Sequence, residues 1–239
     1  MDWENLKRQF YINFIEEDRW RFLTSGLANT LQITLLAVLL GIVIGVVVAI
    51  VRSTYDKTIG ETWGMGRFFL RLADLVCRVY LTVIRGTPVV VQLMIMYYII
   101  FASSRNGVAV ATLAFGVNSG AYVAEIFRAG IMSIDQGQFE AGRSLGLNYV
   151  QTMRYVIVPQ AFKNVLPSLA NEFIVLLKET SVAGYVTVRD LTMGGNTIRS
   201  VTYSAFLPLI AVALIYLAMV MFFTWLVGKL ERRLRNSER

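Results

Sequence analysis

The sequence has no histidine and a single cysteine, Cys77. Without histidine neither a Ser-His-Asp nor a Cys-His nucleophile can be assembled, and the commonest metal ligand is missing. One cysteine makes no internal disulfide and no zinc cluster, so no metal site is expected. Nor is there a G-x-x-x-x-G-K-[ST] loop, the backbone cradle that holds a nucleotide's phosphates. Charge is scarce too: 16% of the 239 residues are Asp, Glu, Lys or Arg, against about a quarter in soluble domains.

Apolar residues fill the gap. They make up 56% of the chain, and mean hydropathy is +0.56. These values exclude disorder and an ordinary cytosolic enzyme. The net charge of +7 would suggest nucleic acid in a soluble protein. Here the charges lie between long apolar runs, so they report membrane topology and no nucleic-acid partner.

About 20 apolar residues cross a bilayer as a helix. Residues 22–51, 86–104, 106–124 and 200–228 carry no charge, and each is read as a span. Residues 155–178 are read as another, although Lys163, Glu172 and Lys178 interrupt them. The first run is not read as a cleaved signal peptide. It is too long, and Glu16, Glu17 and Asp18 precede it in place of a short basic region.

Five spans give an all-α membrane protein, and the basic flanks orient it. The tail 229–239 holds Lys229, Arg232, Arg233, Arg235 and Arg239 and should be cytoplasmic. The connection 52–85 (Arg52, Lys57, Arg67, Arg71, Arg78 and Arg85 against Asp56, Glu61 and Asp74) and the loop 128–154 should lie on the same side. An external N-terminal segment, 1–21, then precedes a transmembrane domain over 22–228, with Trp3 and Trp20 as interface anchors. Residues 67–85 are amphipathic: they lie along the inner surface, or the second span begins there and kinks at Pro88. Gly41, Gly45 and Ala49, and likewise Gly116, Gly120 and Ala124, recur every four residues, the spacing of close helix contact in lipid.

The loop at about 134–154 is too polar for lipid yet has apolar residues at helical spacing, Phe139, Leu145, Leu147 and Val150. The pattern predicts a short helix over 137–145, ended near Gly146. Within it, Glu140-Ala141-Gly142, then Gly146, then Val156-Ile157-Val158-Pro159 resembles the EAA motif of importer-type ABC transporter permeases. The spacing from Glu140 fits without a gap. Gly142 stands in place of the second alanine, Val156 in place of isoleucine, and Val158 in place of leucine. Arg85-Gly-Thr-Pro-Val-Val-Val-Gln92, Asn118-Ser-Gly-Ala-Tyr-Val-Ala-Glu125, Leu166-Pro-Ser-Leu-Ala-Asn-Glu172 and Lys178-Glu-Thr-Ser181 resemble the polar amino-acid permeases of that class.

The resemblance implies the type I importer permease fold and a non-enzymatic subunit of the bacterial inner membrane. It binds no cofactor, and ATP sits on a cytoplasmic ATPase dimer. It implies a second permease subunit, identical or similar, and an extracytoplasmic amino-acid-binding protein. A cytoplasmic coupling helix carrying Phe139, Glu140, Ala141, Gly142 and Leu145, with Gly146 at its exit, would dock on the ATPase. The rival reading is an ion-coupled transporter or channel, but no internal inverted repeat is visible. An intramembrane enzyme has little to build on.

An ionisable residue within a span is costly unless paired or solvated. Asn118, Tyr122 and Glu125 fall on one helix face. Asn118 and Glu125, with Thr87, Gln92, Asn171 and Glu172, are candidates to line a polar pathway for an amino acid. The alternatives stay open. Glu125 can pair with Arg85 or Arg128, and Glu172 with Lys163 or Lys178. Thr87 can cap a helix, and Gln92 can bond between helices. Basic and neutral substrates fit equally.

Overall fold

The computed structural model describes residues 3–60 and 63–236. Glu61 and Arg239, both part of the cytoplasmic charge pattern, lie outside them. The described residues form ten α-helices joined by short π and 3₁₀ turns, with no strand among them. They run α1 (Trp3–Phe10), α2 (Trp20–Thr58), α3 (Gly64–Gly86), α4 (Val89–Ile95), α5 (Gly107–Met132), α6 (Gln136–Ser144), α7 (Tyr149–Thr152), α8 (Val158–Glu179), α9 (Leu191–Thr202) and α10 (Phe206–Asn236).

Helices α2, α5 and α10 are long and apolar enough to cross a membrane, and α3 with the α4 region qualifies as one broken span. At 39 residues α2 is about 58 Å long, roughly twice the hydrocarbon thickness. The helix therefore continues past the uncharged run and carries Arg52, Asp56 and Lys57 on its last turns. The α8 span is not among the qualifying helices; Gln160, Lys163, Asn164, Asn171 and Glu172 keep its hydropathy down.

Helix α3 reverses the pattern of a soluble amphipathic helix. Phe68, Phe69, Val76 and Val79 are exposed, whereas Asp74, Cys77 and Leu81 are buried at spacings of three and four. Asp74 accepts from Arg78 Nε at 2.6 Å and faces Arg52 Nε at 3.7 Å. An apolar outside around a paired inside is what a lipid environment selects. The helix ends where the residue before a proline is pushed out of the helical region. Thr87 and Pro88 are both extended, and Pro88 begins α4.

The chain divides into two compact units, residues 1–37, 88–116 and 173–225, and residues 38–87, 117–172 and 226–239. In the first, Phe14, Leu23, Leu191, Ile198 and Val212 form the core. Helix α9 is locked against the start of α2. A β-carbon placed at Gly26 would meet the Asp190 carbonyl oxygen at 2.5 Å. Asn13 ties the N-terminal segment to Thr202 and Ser204 at 2.8 and 3.3 Å.

In the second unit Val48, Cys77, Leu81, Ala121 and Ala124 join α2, α3 and α5. Val123, Val165 and Leu169 join α5 to α8. Between α2 and α5 the approach is set by missing side chains. A β-carbon at Gly45 would lie 2.5 Å from Val123 Cγ1, and one at Gly120 would lie 2.9 Å from Ile44 Cβ. Lipid tails are as apolar as leucine, so backbone proximity, not burial from water, rewards association here.

Candidate functional site

Two groups of the expected residues lie in the second unit. The first is at the contact of α5 and α8, where Ser119 donates from Oγ to Glu172 Oε1 at 2.8 Å. Neither Lys163 nor Lys178 pairs with Glu172 among the described residues. Its one charge-bearing group thus meets a hydroxyl and no cation. Asn118 is buried beside Ser119, whereas Asn171 is exposed.

Farther along α5, Glu125 pairs with Arg85 of α3 at 3.3 Å, in a half-exposed setting. The Arg85 guanidinium also lies 5.9 Å from the Tyr122 ring. Arg128, the other candidate, turns to Asp56 at 3.4 Å. The expected face of Asn118, Tyr122 and Glu125 therefore runs from closed to open along the helix. Thr87 closes α3, its hydroxyl donating to the Val83 carbonyl at 2.8 Å. Gln92 is half-buried on α4, in the first unit.

The second group is the loop. Asp135 caps α6 by accepting from the Gly137 amide at 2.6 Å, the ordinary device for an orphan helix donor. At the other end the Gly146 amide bonds the Arg143 carbonyl at 2.9 Å, and the Leu147 amide bonds the Gly142 carbonyl at 3.1 Å. This is a Schellman closure, which needs a left-handed residue at its turn. Gly146 supplies it with φ +77°. Asn148 and Gln151 then form a reciprocal capping box that starts α7. The expected helix over 137–145 appears one residue earlier, with Gly146 as its stop.

The apolar residues of this loop divide. Phe139 packs against Ile134, Ile157 and Ala161, and Lys57 Nζ stands 3.9 Å from its ring centroid. Leu145 is 79% exposed; Glu140 and Ala141 are also exposed. Gly142 is buried because a β-carbon there would lie 2.6 Å from Thr152 Cγ2. Its departure from alanine thus has a local reason: a threonine occupies the space.

The sequence profile described as binding-protein-dependent transport system inner membrane component matches residues 41–236. The chain belongs to that family. As such it is an inner membrane component of an ABC transporter, and ATP hydrolysis is the work of a separate subunit. The arginine transport system permease protein ArtQ of Bacillus subtilis is 38% identical over 175 residues, covering 72% of this chain and 78% of ArtQ. The glutamine transport system permease protein GlnP of Escherichia coli K12 is 38% identical over 182 residues, covering 74% of this chain and 83% of GlnP. A crystal structure of an amino acid ABC transporter with histidines superposes with a TM-score of 0.80 at 38% identity, covering 98% of this chain and 99% of that one. The inward-facing MetNI methionine ABC transporter shares the fold, with a TM-score of 0.75 at 20% identity over 92% of this chain and 99% of that one. The ion-coupled alternative finds no support among them.

Sequence reasoning passed over Ser119 and Thr152. Ser119 sits between Asn118 and Gly120 in a stretch already singled out, but only the fold aims it at Glu172. Nothing in the local pattern linked Thr152 to Gly142.

Proposed function

We propose that this family member is the permease subunit of an amino-acid importer, with five spans, an outside N-terminus and a cytoplasmic tail. The observation that carries the substrate class is the Glu172 carboxylate, held by Ser119 at 2.8 Å and matched by no side-chain cation among the described residues. An unpaired carboxylate within a bundle is costly unless something positive visits it. The ammonium of an amino acid, or a basic side chain, answers that need. Asn118, Asn171 and Thr87 offer amides and a hydroxyl for the substrate carboxylate. Glu125, paired with Arg85, reads better as a support for α3 and α5 than as a ligand.

Coupling is assigned to α6 and its exit. Phe139 anchors the loop to the permease and Leu145 presents an apolar knob to a groove of an ATPase dimer. Glu140, Ala141 and Gly142 form the rest of the contact helix. The Gly146 turn makes the loop a stiff lever, so closure of the ATPase pair around ATP turns the helices and opens the site outward. The binding protein releases its amino acid there, and hydrolysis restores the inward state. A second permease, identical or similar, completes the pathway.

The test is uptake by the full complex in liposomes, competed with a panel of amino acids. Glu172→Gln should lower amino-acid uptake at least tenfold while the ATPase still co-purifies. Unchanged uptake would overturn the assignment of Glu172. Gly146→Val should lower the number of amino acids imported per ATP hydrolysed, because a β-branched residue resists φ +77°. An unchanged ratio removes the lever.

A further inference from the structure

We propose that Lys57 is a positioning residue of the coupling step, through which the far end of α2 becomes a second arm on the loop helix. The inference rests on the assignment of coupling to α6 and adds a connection to it. Helix α2 continues past its apolar run, and its last turns carry Asp56 and Lys57. These neighbours reach two elements. Asp56 accepts from Arg128, in the last turns of α5, at 3.4 Å. The Lys57 ammonium stands 3.9 Å from the centroid of the Phe139 ring on α6. The end of α2 thus holds both sides of the corner where α5 passes into α6.

Two observations single out the Lys57 contact. The ammonium has no anion: Lys57 makes no ion pair among the described residues, and Asp56 beside it is taken by Arg128. Its partner is the ring, whose quadrupole attracts a cation over its face. The contact also stands in loosely filled space. Lys57, Gln136, Phe139 and Tyr149 line two cavities, of about 200 and 160 Å³. Atoms across a void lose their contacts, so packing there transmits little displacement from one helix to the other. Phe139 rests on Ile157 and Ala161 near the start of α8, and that seat alone would carry a movement of α6 to α8 and leave α2 behind. The ammonium over the ring carries it to α2 as well.

The experiment uses the whole transporter, permease with ATPase, in liposomes. It reads amino acids imported per ATP hydrolysed, beside the melting temperature. Lys57 is exposed, so its replacement should leave folding alone. Lys57→Met keeps the stem and loses the charge; the ratio should fall about two- to fivefold, the worth of one cation over a ring. Lys57→Arg should restore it, because a guanidinium also stacks on a ring face. Phe139→Leu keeps an apolar seat without the ring and should cause the same fall, with no further loss when Lys57→Met is added. An unchanged ratio in Lys57→Met, or a fall that tracks a lower melting temperature, overturns the proposal. So does a double variant whose losses multiply. The two Lys57 variants decide the matter even where Phe139→Leu does not assemble. Leu145→Ala separates this failure from that of the coupling assignment. If Leu145→Ala lowers the ratio and Lys57→Met does not, the arm on α2 alone falls; if neither lowers it, the coupling role of α6 falls too.

Discussion

Helices α6 and α9 begin with the same chemistry and come to opposite ends. Each is short, and each has an aspartate accepting from the amides of its first turn: Asp135 from Gly137, and Asp190 from Thr192 and Met193, both at 3.0 Å. Asp135 is exposed, and α6 has only Gly142 buried. Asp190 is wholly buried; Leu191, Gly194, Gly195 and Ile198 are buried with it. The Leu191 amide donates to Thr30 Oγ1 at 3.1 Å. Capping decides that a helix starts. It does not decide whether the helix is presented or locked. Glycines at its contacts do that for α9, and an anchored Phe139 beneath a free Leu145 does it for α6.

The strongest break of this contrast is Gly26→Val. The new β-carbon meets backbone at Asp190, which cannot rotate away, so a loss of about 3 kcal/mol is expected. Detergent-purified protein should melt well below the wild type; an unchanged melting temperature would mean that α9 is not locked. Next comes Asp190. Its replacement by alanine orphans two buried amides and should cost about 2 kcal/mol, whereas asparagine still caps. Burial raises the Asp190 pKa, against the hydrogen bonds from Met193 and Thr192 that lower it. A carboxyl with a raised folded pKa adds stability that is complete below the ordinary carboxylate range and fades as pH rises through the folded value. Wild-type stability relative to Asp190→Asn should therefore grow as pH falls from neutral. A flat difference in melting temperature across that range would contradict it.

On the presented helix the effects are smaller. Gly142→Ala should cost about 1 kcal/mol by crowding Thr152, and Thr152→Ala should recover most of it. Additive losses in the double variant would show that the two do not compete for space. The least effect on folding belongs to Leu145→Ala, within about 0.5 kcal/mol for so exposed a residue. Its consequence should fall on co-purification of the ATPase. Equal losses of stability and partner binding would erase the distinction between the two helices.

Much of this was legible in order along the chain. Uncharged runs marked α2, α5 and α10, and Gly146 marked the end of α6, because span length and left-handed backbone are local demands. The pairing of Glu125 was legible only as a choice between Arg85 and Arg128, both within reach of one helix face. Helix α3 was legible as amphipathic but not as a helix that buries Asp74 between two arginines and turns its phenylalanines outward. That inversion depends on Arg52 arriving from the extended end of α2.

The sequence by itself determined an all-helical membrane chain, the start and stop of its loop helix, and the residue types available for a polar pathway. These follow from periodicity, charge and backbone preference within a few turns. Tertiary structure alone decided that Ser119, not a lysine, meets Glu172, that Thr152 fills the space beside Gly142, and that α9 is locked while Leu145 stands free. Each joins residues distant along the chain or depends on which face is covered, and such contacts are set by how helices pack.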